Sequence, residues 1–420
     1  MTEREFGEAV AKMGGRAYVV GGWVRDKVRG QAPQDKDYVV TGVTEAAFRA
    51  AMPEAKLVGR GFPVFLAKID DACCEVAFAR TERKNGTGYR GFDVSCSSDI
   101  TIEDDLFRRD LTVNSMAMDV LTGELIDPYG GKKDIEAGVL RPVSEHFFED
   151  PVRALRTARF TAQLEMNPVP EAIEAMAACK KELLSEPAER VLGELKKALK
   201  TRKPSVFFRT LEKAQLLEAV FPEIHALIGK TQPVQYHPEG DAFEHIMQVV
   251  DRVAHDTDNI IARFAGLVHD LGKGVTPVEI LPHHYGHEEK GIPVLQEWNS
   301  RMTLPGSWKR VAEFIIQHHM RAPRLEKATK ILDLMLLVRR YRQDISLEDF
   351  KAIIRADHNG LPYYLERCDE LTAEILTVSG NDAPEGLSGI QTGEWVRRKQ
   401  LTACKKWLRE NRPAGTAEIS

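Results

Sequence analysis

Two aspartates that lie two residues apart, Asp35 and Asp37, begin a short apolar segment. Upstream, the apolar run Tyr18–Val20 leads directly into Gly21 and Gly22. Adjacent glycines after a strand allow the backbone to approach an anion closely with free N–H groups. Because side chains two residues apart on a strand share one face, both carboxylates would face the same ligand. Paired carboxylates beside an anion-binding turn predict a site for Mg²⁺ and a nucleoside triphosphate.

Ordinary turns are the simpler explanation for each of these two motifs taken alone. An isolated Asp-Lys-Asp is usually a solvated turn, and short motifs have a high false-positive rate. Here the motifs occur in the order strand, Gly-Gly, helix, Asp-Lys-Asp, strand, with the helix predicted at Trp23–Arg29 and the second strand at Tyr38–Thr41. This order favours the functional interpretation.

Further charged residues fit such a site. Apolar neighbours are expected to leave Arg108, Arg109 and Asp110 at its rim. A guanidinium group matches phosphate oxygens in a bidentate manner, although a salt-bridged surface turn is the commoner explanation for this tripeptide. Glu75 lies on a predicted strand and is either a third carboxylate near the metal or an exposed side chain on an edge strand.

A predicted helix that starts near Asp150 carries three regularly spaced arginines. The following Pro151 is typical of the first turn of a helix. Arg153, Arg156 and Arg159 recur every three residues and therefore drift slowly around one side of the helix. Asp150 and Arg153 lie one turn apart, so that an acceptor and a donor could meet the hydrogen-bonding edge of a base. A solvent-facing basic stripe is the alternative.

Basic residues crowd a short stretch that follows this helix in an otherwise acidic chain. Such crowding suits an RNA backbone, and a solvated helix with a leucine face is the alternative. The candidate RNA-binding residues are Lys196, Lys197, Lys200, Arg202 and Lys203.

Histidines concentrate further along the chain, where an apolar helix ends at His269-Asp270 and is stopped by Gly272. Imidazoles mixed with carboxylates favour a transition metal over Mg²⁺. A single histidine at the end of a buried helix is usually structural, but a series with aspartates at both ends, including Asp357, predicts a metal site. The series is His237, His245, His255, His269, His283, His284, His287, His318, His319 and His358.

Composition restricts the class of protein. The chain has 420 residues, 43% of them hydrophobic and 29% charged, as in an ordinary globular protein of several domains. A net charge of −5 excludes a global attraction to nucleic acid, so that any RNA-binding surface must be local. No signal peptide or membrane-length apolar run is present. Six cysteines without paired spacing predict reduced thiols in a cytoplasmic protein. The lack of a long apolar run predicts that the protein does not contact a membrane.

The distribution of apolar runs divides the chain into four segments. Short runs at Tyr18–Val20, Tyr38–Thr41, Val64–Ile69, Cys74–Phe78 and Leu125–Ile126 predict an α/β or α+β head over residues 1–140. The glycine- and serine-rich stretch Thr81–Ser98 is expected to be a mobile loop beside the site. Strand signals vanish beyond residue 141, which predicts a helical neck and body (141–225), a histidine-rich helical domain (226–365) and a helical tail (366–420).

Taken as an ordered set, these motifs are similar to those of a known enzyme family. GGWVRD, DKDYVV, EDDLFRRDLTVNSMAMD, DPYGG, EDPVRALRTARF and AERVLGELKKAL resemble the bacterial class II tRNA nucleotidyltransferases, and the histidines around HDLGKG resemble an HD phosphohydrolase domain. The resemblance covers roughly residues 18–360. It implies an α+β fold: a polymerase β-like nucleotidyltransferase head followed by an all-α neck and body and an all-α HD domain.

The resemblance implies template-independent addition of CCA to the 3′ end of tRNA from CTP and ATP. Asp35 and Asp37 would hold Mg²⁺, and Gly22, Arg25 and Arg109 would contact the nucleotide. The base-reading helix would use a further set, consisting of Asp150 and Arg153 with support from Arg156 and Arg159.

In the HD domain the resemblance implies 2′,3′-cyclic phosphodiesterase, 2′-nucleotidase and phosphatase activities. The metal would be a transition ion such as Ni²⁺, Mn²⁺ or Co²⁺. The ligands implied are His245, His269, Asp270, His318 and Asp357. The choice between His284 and His287 as a further ligand stays open, as does a monomeric or homodimeric state.

Four other functions can be weighed against the sequence. An enzyme that adds only the terminal A keeps the same motifs, whereas a CC-adding enzyme would have a shortened form of Thr81–Ser98. A metal-dependent phosphohydrolase whose head merely binds tRNA would not require the intact Asp-Lys-Asp and Arg-Arg-Asp motifs. A non-enzymatic RNA-binding protein would need neither metal constellation.

Overall fold

The apolar run at Tyr18–Val20 forms most of the first strand, and the other strands predicted from apolar runs also form. A computed structural model describes residues 1–58, 64–84, 92–95, 98–358 and 360–414. Its strands are β1 (Arg16–Val20), β2 (Asp37–Thr41), β3 (Lys56–Val58), β4 (Val64–Ile69), β5 (Ala72–Phe78), β6 (Thr81–Lys84), β7 (Phe92–Ser95), β8 (Ala117–Asp119), β9 (Leu125–Ile126), β10 (Val139–Leu140) and β11 (Asn167–Pro168).

The main sheet has the strand order β3–β4–β5–β2–β1–β8–β9. Strands β2 and β5 run parallel, and the other neighbours run antiparallel. Successive side chains of β1 point to opposite faces, so Val19 packs in one apolar cluster with Phe6 and Phe48, and Tyr18 packs in another with Leu106. Because both faces are covered, the central strands form continuous apolar runs, which explains why they were predictable.

The stretch Thr81–Ser98 departs from the predicted irregular loop. Its two ends pair antiparallel as β6 and β7, with Thr81 opposite Ser95. Two four-residue strands in a sequence rich in glycine and serine give no apolar alternation, which is why the sequence did not reveal them. Residues 85–91, 96 and 97, on which the rest of that prediction falls, lie outside the described residues.

Contacts divide the chain into two units, Met1–Glu194 with Arg209–Val220, and Leu195–Phe208 with Phe221–Ser420. The division passes within α9 and α10. Helices of the first part of the chain are α1 (Glu3–Lys12), α2 (Gly22–Val28), α3 (Glu45–Ala51), α4 (Ile102–Phe107), α5 (Gly131–Ala137), α6 (Val152–Leu164), α7 (Pro170–Ala178), α8 (Lys180–Leu183), α9 (Ala188–Leu199), α10 (Ser205–Lys213) and α11 (Leu217–Val220).

The second unit is helical in its described residues, as predicted, and its core includes the tail. Cys404, Trp407 and Leu408 of the last helix are buried in the same apolar cluster as Val249 and Ile315. The helices are α12 (Pro222–His225), α13 (Ala242–Asp256), α14 (Ile260–Val268), α15 (His287–Met302), α16 (Gly306–His318), α17 (Ala328–Val338), α18 (Leu347–Asp357), α19 (Tyr363–Glu366), α20 (Cys368–Leu376) and α21 (Gly389–Glu410).

Short 3-10 helices complete the described elements. The expectation of no strand beyond residue 141 is wrong only at β11, whose two residues pair with β10 and are too few to form a pattern. In the described ranges, no helix combines the length and apolarity needed to cross a bilayer. The 3-10 helices are Thr112–Asn114, Glu145–Glu149, Leu271–Val275, Val278–Ile280, Ala322–Arg324, Arg339–Tyr341 and Gly380–Asp382.

Candidate functional site

The first candidate site lies at the end of β1 and the start of β2. Asp37 is the first residue of β2 and is paired with Val20 on one side and with Glu75 of β5 on the other. Asp35 precedes the strand and is also exposed, so the predicted sharing of one strand face does not apply to it. Glu75 is exposed and belongs to an interior strand, which rules out the edge-strand alternative.

The electrostatics of this acidic group are those of a cation site. Loss of hydration raises the pKa of Asp37, and Glu75 and Asp35 raise it further by repulsion, whereas Arg109 opposes them. Exposed carboxylates are hard oxygen ligands of the type that Mg²⁺ prefers, so the chemistry of these donors fits a magnesium ion. In the described structure, however, the oxygens of Asp35, Asp37 and Glu75 do not come within 4.8 Å of one another as a group.

Glycine is required at the turn between β1 and α2. Gly21 has φ of +69°, a region that side-chain-bearing residues rarely adopt. A Cβ atom at Gly21 would lie 3.3 Å from Nη1 of Arg109. Arg109 is held by the buried carboxylate of Asp105, whose Oδ2 accepts from its Nη2 at 2.9 Å. Gly22 is the first residue of α2. The turn thus lies beside one guanidinium group, and the N–H of Gly21 already donates to the carbonyl of Met116 at 3.4 Å.

Arg25 lies inside the protein rather than at this surface. Its side chain is 5% exposed, its Nη1 donates to Oδ1 of Asn114 at 2.8 Å, and its Nε donates to Asp26 at 2.8 Å. A direct contact of Arg25 with a nucleotide stays a prediction. In the described structure it connects α2 to Asn114.

Asp110 is the centre of a buried polar network. The expectation that it lies at a rim is wrong, because the residue is buried and its Oδ2 accepts from Nε of Arg156 at 2.7 Å. Its Oδ1 accepts from Nδ2 of Asn114 at 3.1 Å and from the N–H of Leu111 at 2.8 Å. Burial alone would raise the pKa of Asp110, but Arg156 and Arg153 outweigh it and hold the pKa well below the usual range.

The arginines of α6 are not a solvent-facing stripe. Arg153 and Arg159 are buried, and Arg156 is bound by Asp110. Arg153 Nη1 donates to the carbonyl of His146 at 2.6 Å, and Arg159 Nε donates to Glu194 at 2.6 Å. Because the arginines are three residues apart, each points in a slightly different direction from the helix. Each guanidinium group therefore reaches an acceptor on a different element.

Asp150 precedes α6 and closes its first turn. Its Oδ1 accepts from the N–H of Val152 at 3.1 Å, and its Oδ2 accepts from Nη2 of Arg190 at 2.7 Å. The backbone N–H of Arg153 donates to the carbonyl of Asp150 at 2.9 Å. Asp150 and Arg153 therefore lie together at the start of one helix. A base would have to compete with Arg190 for Asp150 and with the carbonyl of His146 for Arg153.

The second candidate site is a buried cluster built from four helix ends and one residue within a helix. His245 comes from α13, His269 and Asp270 follow α14, His287 begins α15, His319 follows α16, and Asp357 ends α18. Two groups of potential ligand atoms share Asp270, and a third consists of His237, Glu239 and His245. Of the two that share Asp270, one is His245, His269, Asp270 and Asp357, and the other is Asp270, His287 and His319.

The distances show how tightly the cluster converges. His269 Nε2 lies 3.2 Å from Oδ2 of Asp270, and His245 Nε2 lies 3.0 Å from Oδ1 of Asp357. On the other side, His287 Nε2 lies 3.2 Å from Oδ1 of Asp270 and 3.3 Å from Nε2 of His319. His269 Nε2 and both oxygens of Asp270 are buried and lack a hydrogen bond of acceptable geometry.

Backbone carbonyls orient three of the imidazoles. Nδ1 of His269 lies 2.7 Å from the carbonyl of Gly266, Nδ1 of His287 lies 2.9 Å from that of His284, and Nδ1 of His319 lies 3.0 Å from that of Ile316. Because a carbonyl can only accept, each Nδ1 is a donor and each Nε2 faces the cluster, where it can bind either a proton or a metal. The mixed donor set fits a divalent transition ion.

The carboxylates of the cluster are ionised. Burial alone would raise the pKa of Asp270, but Lys273 and His269 outweigh it and hold the pKa well below the usual range. The pKa of Asp357 is lowered in the same direction against burial, mainly by His269. Burial alone would lower the pKa of His269, yet Asp270 and Asp357 raise it to about 10. The cluster strongly attracts positive charge.

The prediction of His318 as a ligand needs revision, and the open choice between His284 and His287 is resolved. His318 lies outside the cluster and packs on Phe314 at 5.1 Å, whereas the next residue, His319, points inward. One residue along a helix turns the side chain by about 100°, so the pattern alone could not separate the two. His287 belongs to the cluster, whereas His284 bonds to Thr276 and to the carbonyl of Thr231.

Two residues beside the cluster were missed by sequence reasoning. Glu239 Oε1 lies 2.5 Å from Nδ1 of His245, and Lys273 Nζ lies 2.5 Å from Oδ2 of Asp270. The available signals were the Asp-Leu-Gly-Lys spacing, which places Lys273 one turn after Asp270, and the polar turn that contains Glu239. Neither spacing by itself distinguishes a buried partner from a surface charge.

The basic stretch lies at the end of α9 and in the turn that follows. Leu195 and Leu199 are buried, which leaves the basic side chains on the opposite surface. Lys197, Lys200, Arg202 and Lys203 are the basic residues directed to that surface, and Lys196 packs 5.9 Å from the ring centre of Trp308. RNA binding by this stretch stays a prediction.

Comparison with known proteins relates both sites to described families. Family models match residues 17–141 (Poly A polymerase head domain), 165–228 (Probable RNA and SrmB-binding site of polymerase A) and 242–379 (HD domain). A multifunctional CCA protein of Nitrosococcus oceani is 42% identical over 94% of this chain and 99% of its own length. That of Methylococcus capsulatus is 40% identical over 96% of this chain and 97% of its own length.

Solved structures share the fold. The CCA-adding enzyme of Bacillus stearothermophilus in complex with CTP superposes with a TM-score of 0.65 at 22% identity, covering 97% of this chain and 92% of that one. The Thermotoga maritima CCA-adding enzyme complexed with tRNA gives a TM-score of 0.62 at 20% identity, covering 99% and 92%. At these identities the likeness establishes the architecture, an α+β head followed by helices.

Proposed function

The chain belongs to the family of multifunctional CCA proteins, and from that membership we propose that it builds the CCA end of tRNA from CTP and ATP without a nucleic-acid template. The observation that carries the proposal is the acidic group of Asp35, Asp37 and Glu75 beside the Gly21 turn and Arg109. The same chain is a metal-dependent phosphohydrolase through its HD domain.

In the head, the carboxylates of Asp35, Asp37 and Glu75 hold divalent metal, proposed to be two Mg²⁺ ions. When bound, the ions supply activation of the tRNA 3′-hydroxyl and neutralisation of the leaving pyrophosphate. The N–H of Gly22 and the guanidinium of Arg109 bind the phosphates, since the N–H of Gly21 already donates to the carbonyl of Met116 at 3.4 Å. Binding triphosphate at this turn brings the α-phosphate to the carboxylates, which explains why glycines and acids are adjacent.

Base selection falls to the start of α6. Cytosine and adenine both present an amino donor beside a ring-nitrogen acceptor, whereas uracil and guanine present a carbonyl beside an N–H. The carboxylate of Asp150 accepts from the amino group, and the guanidinium of Arg153 donates to the ring nitrogen. Uracil or guanine would leave these groups unpaired, which is how a polar site rejects a wrong base. Asp110 and Glu194 keep Arg156 and Arg159 in place as support.

In the second unit, the two ligand groups that share Asp270 hold a divalent transition ion, for which Ni²⁺, Mn²⁺ and Co²⁺ are the candidates. When bound, the metal supplies a Lewis acid and a water of lowered pKa. The helix-end histidines and Asp357 fix the ligand geometry, and Lys273 neutralises part of the charge on Asp270. The proposed reactions are hydrolysis of 2′,3′-cyclic phosphates, 2′-nucleotides and other phosphate monoesters.

The tRNA backbone binds at the basic residues at the end of α9 and in the turn that follows, namely Lys197, Lys200, Arg202 and Lys203. Because tRNA and nucleoside triphosphates are cytoplasmic, we place the protein in the cytoplasm.

The proposal is tested with tRNA that lacks its last three nucleotides. This tRNA is incubated with CTP alone, with ATP alone and with both nucleotides. Extension by three residues only with both nucleotides is the expected result. Extension of a tRNA that already ends in CC, without extension of the shorter one, would instead establish an A-adding enzyme. Failure to extend either substrate, in a preparation that binds tRNA and hydrolyses phosphate esters, would overturn the transferase assignment.

A further inference from the structure

A single carboxylate oxygen of α1 holds the two side chains that flank Asp37. Oε1 of Glu3 accepts from Nζ of Lys36 at 2.8 Å and from Oη of Tyr38 at 2.8 Å. Lys36 is the middle residue of the Asp-Lys-Asp motif, and Tyr38 is the second residue of β2. Neighbouring side chains of an extended chain point to opposite faces. Two flanking residues held on one face therefore leave Asp37 on the other.

The charge of Lys36 is directed away from the acidic group. Its ammonium lies 4.8 Å from the ring centre of Trp23, and one quarter of its side chain is exposed. Burial raises the pKa of the Cys74 thiol, and the ammonium of Lys36 acts against it. Cys74 and Glu75 are successive residues of β5 and point to opposite faces of the sheet. Lys36 therefore lies on the face of Cys74, not on that of Glu75.

The start of α1 is fixed to the turn that precedes β5. The N–H of Glu3 donates to Oδ1 of Asp70 at 3.0 Å, and the N–H of Asp70 donates to the carbonyl of Met1 at 3.0 Å. One turn along the helix, the ring of Phe6 is fully buried and meets that of Tyr38 edge-on at 5.2 Å. The backbone of Glu3 is thus attached to β5 and its carboxylate to β2, which are the two strands that carry Glu75 and Asp37.

Without Glu3, the ammonium group of Lys36 would compete with a cation. Lys36 lies between two aspartates in the sequence, and its flexible four-carbon stem lets the ammonium reach a neighbouring carboxylate. An ammonium bound there would neutralise charge that otherwise attracts a divalent ion. Glu3 provides a separate carboxylate for this ammonium, so the charges of Asp35 and Asp37 stay available.

We propose that Glu3 is a positioning residue for the head site, because it holds the charge of Lys36 away from the carboxylates of the Asp-Lys-Asp motif and thereby preserves their affinity for a divalent cation. The inference rests on the proposed function of the head. Glu3 acts through Lys36 rather than as a ligand. The role falls to α1, which precedes residues 17–141, the range that the head-domain family model matches.

Equilibrium binding of Mn²⁺, followed by electron paramagnetic resonance of the free ion, tests the inference. Carboxylates bind Mn²⁺ as they bind Mg²⁺. All proteins are full-length and carry Asp270→Ala, which removes the ligand shared by two groups of the HD cluster. The head site is defined as the binding that Asp37→Ala abolishes. Glu3→Ala is expected to raise the Kd of this site by about fivefold, the upper range for an exposed ion pair.

A second substitution separates the charge of Lys36 from damage to α1. In the Glu3→Ala background, Lys36→Gln removes the competing charge and should return the Kd to that of Lys36→Gln alone. The Mg²⁺ concentration for half-maximal nucleotide addition should follow the same order among the variants. The kcat of Glu3→Ala should recover at saturating Mg²⁺, because the bound ion displaces the ammonium group.

Two controls match the Glu3 substitution. Glu8→Ala removes another glutamate of α1 that binds a basic residue, Arg4, whose Nε lies 2.9 Å from it. Tyr38→Phe removes the other donor to Glu3 and leaves the bond to Lys36. Both variants should bind Mn²⁺ with the wild-type Kd.

Three results would overturn the inference. They are a wild-type Kd for Glu3→Ala, a Kd of the Glu3→Ala/Lys36→Gln variant that stays as high as that of Glu3→Ala, and an equal rise in Kd for Tyr38→Phe. The second and third would make the contribution of Glu3 the attachment of α1 or its own charge. If Asp37→Ala abolishes no Mn²⁺ binding, the cation site of the head fails instead, which separates failure of the proposed function from failure of the role of Glu3.

Discussion

At the scale of single residues, both sites bring like charges or lone pairs together. Asp37 faces Glu75 across parallel strands, and Asp270 has an imidazole next to each of its oxygens. Both sites therefore attract a cation, since Asp37 and Glu75 repel each other and Asp270 already binds Lys273 and raises the pKa of His269. The two constellations share no residue, which makes their activities separable by mutation.

Asp37→Ala is expected to lower nucleotide addition by about a thousandfold or more, since it removes a metal ligand that serves charge stabilisation worth several kcal/mol. Phosphodiesterase activity should be retained. Asp270→Ala is expected to have the reverse effect. Both activities are assayed on the same preparations, with Asp71→Ala, a fully exposed aspartate of the neighbouring turn, as the control. Addition near the wild-type rate by Asp37→Ala would refute the assignment of the head site.

The neighbouring histidines of α16 provide a matched pair. His319→Ala should weaken binding of Ni²⁺ or Mn²⁺ by about tenfold or more, because it removes an oriented ligand. His318→Ala, one residue away and outside the cluster, should leave the affinity at the wild-type value. Calorimetric titration of metal into each variant measures the difference. Equal affinities for the two variants would show that His319 is not a ligand.

At the scale of elements, buried ion pairs attach α6 to the segments that precede it. Asp110 accepts from Arg156 and from Asn114, and Asn114 accepts from Arg25 of α2. The ring of Phe160 lies within 5.4 Å of the guanidinium carbons of Arg25 and Arg156. The helix that carries the base-reading residues is thus connected to the helix that follows the glycine turn, so nucleotide phosphate and base are bound by parts of one network.

Asp110→Asn is expected to lower the free energy of unfolding by about 1.5–3 kcal/mol at neutral pH, because it leaves the partly buried guanidinium group of Arg156 without its counter-charge. The folded-state pKa of Asp110 is depressed, so its contribution is complete above the ordinary pKa of an aspartate, about 4, and is lost as the pH falls further. The difference in stability between wild type and variant should therefore shrink as the pH falls below about 4. Urea unfolding at several pH values measures this, and a constant difference across the range would contradict it.

At the scale of the whole molecule, one chain carries a nucleotidyltransferase head and a helical phosphohydrolase. The contacts define two units, and the apolar core of the second includes the tail up to Leu408. The tail predicted as a separate segment from residue 366 is therefore packed with the helices that bear the metal ligands. The boundaries predicted at residues 140, 225 and 365 stay predictions.

Binding of tRNA needs a local basic surface, because the net charge of the chain is −5. Replacement of Lys200 and Lys203 by Gln should weaken tRNA binding and lower the slope of log Kd against log salt by about one for each phosphate group that is no longer neutralised. Lys351→Gln, which removes a lysine held by Glu348, is the control. An unchanged salt slope in the double variant would place the tRNA backbone elsewhere.

Local patterns in the sequence were sufficient for five strands of the main sheet (β1, β2, β4, β5 and β9), the glycine turn, the start of α6 and the family. Runs such as Tyr18–Val20 are readable because burial on both faces demands apolar residues at every position. The motif order was readable because each motif is short and contiguous.

Only the tertiary structure decided which side chains meet. The register of β2 and β5 makes Glu75 a neighbour of Asp37. The helical rotation of α16 directs His319, and not His318, into the cluster, and a turn brings Glu239 to His245. Packing between elements likewise buries Arg153 and Arg159, which the sequence alone left open as part of a surface stripe. Periodicity along a chain records which residues share a face. The partner of that face is determined by packing between elements distant in sequence, and spacing carries no information about it.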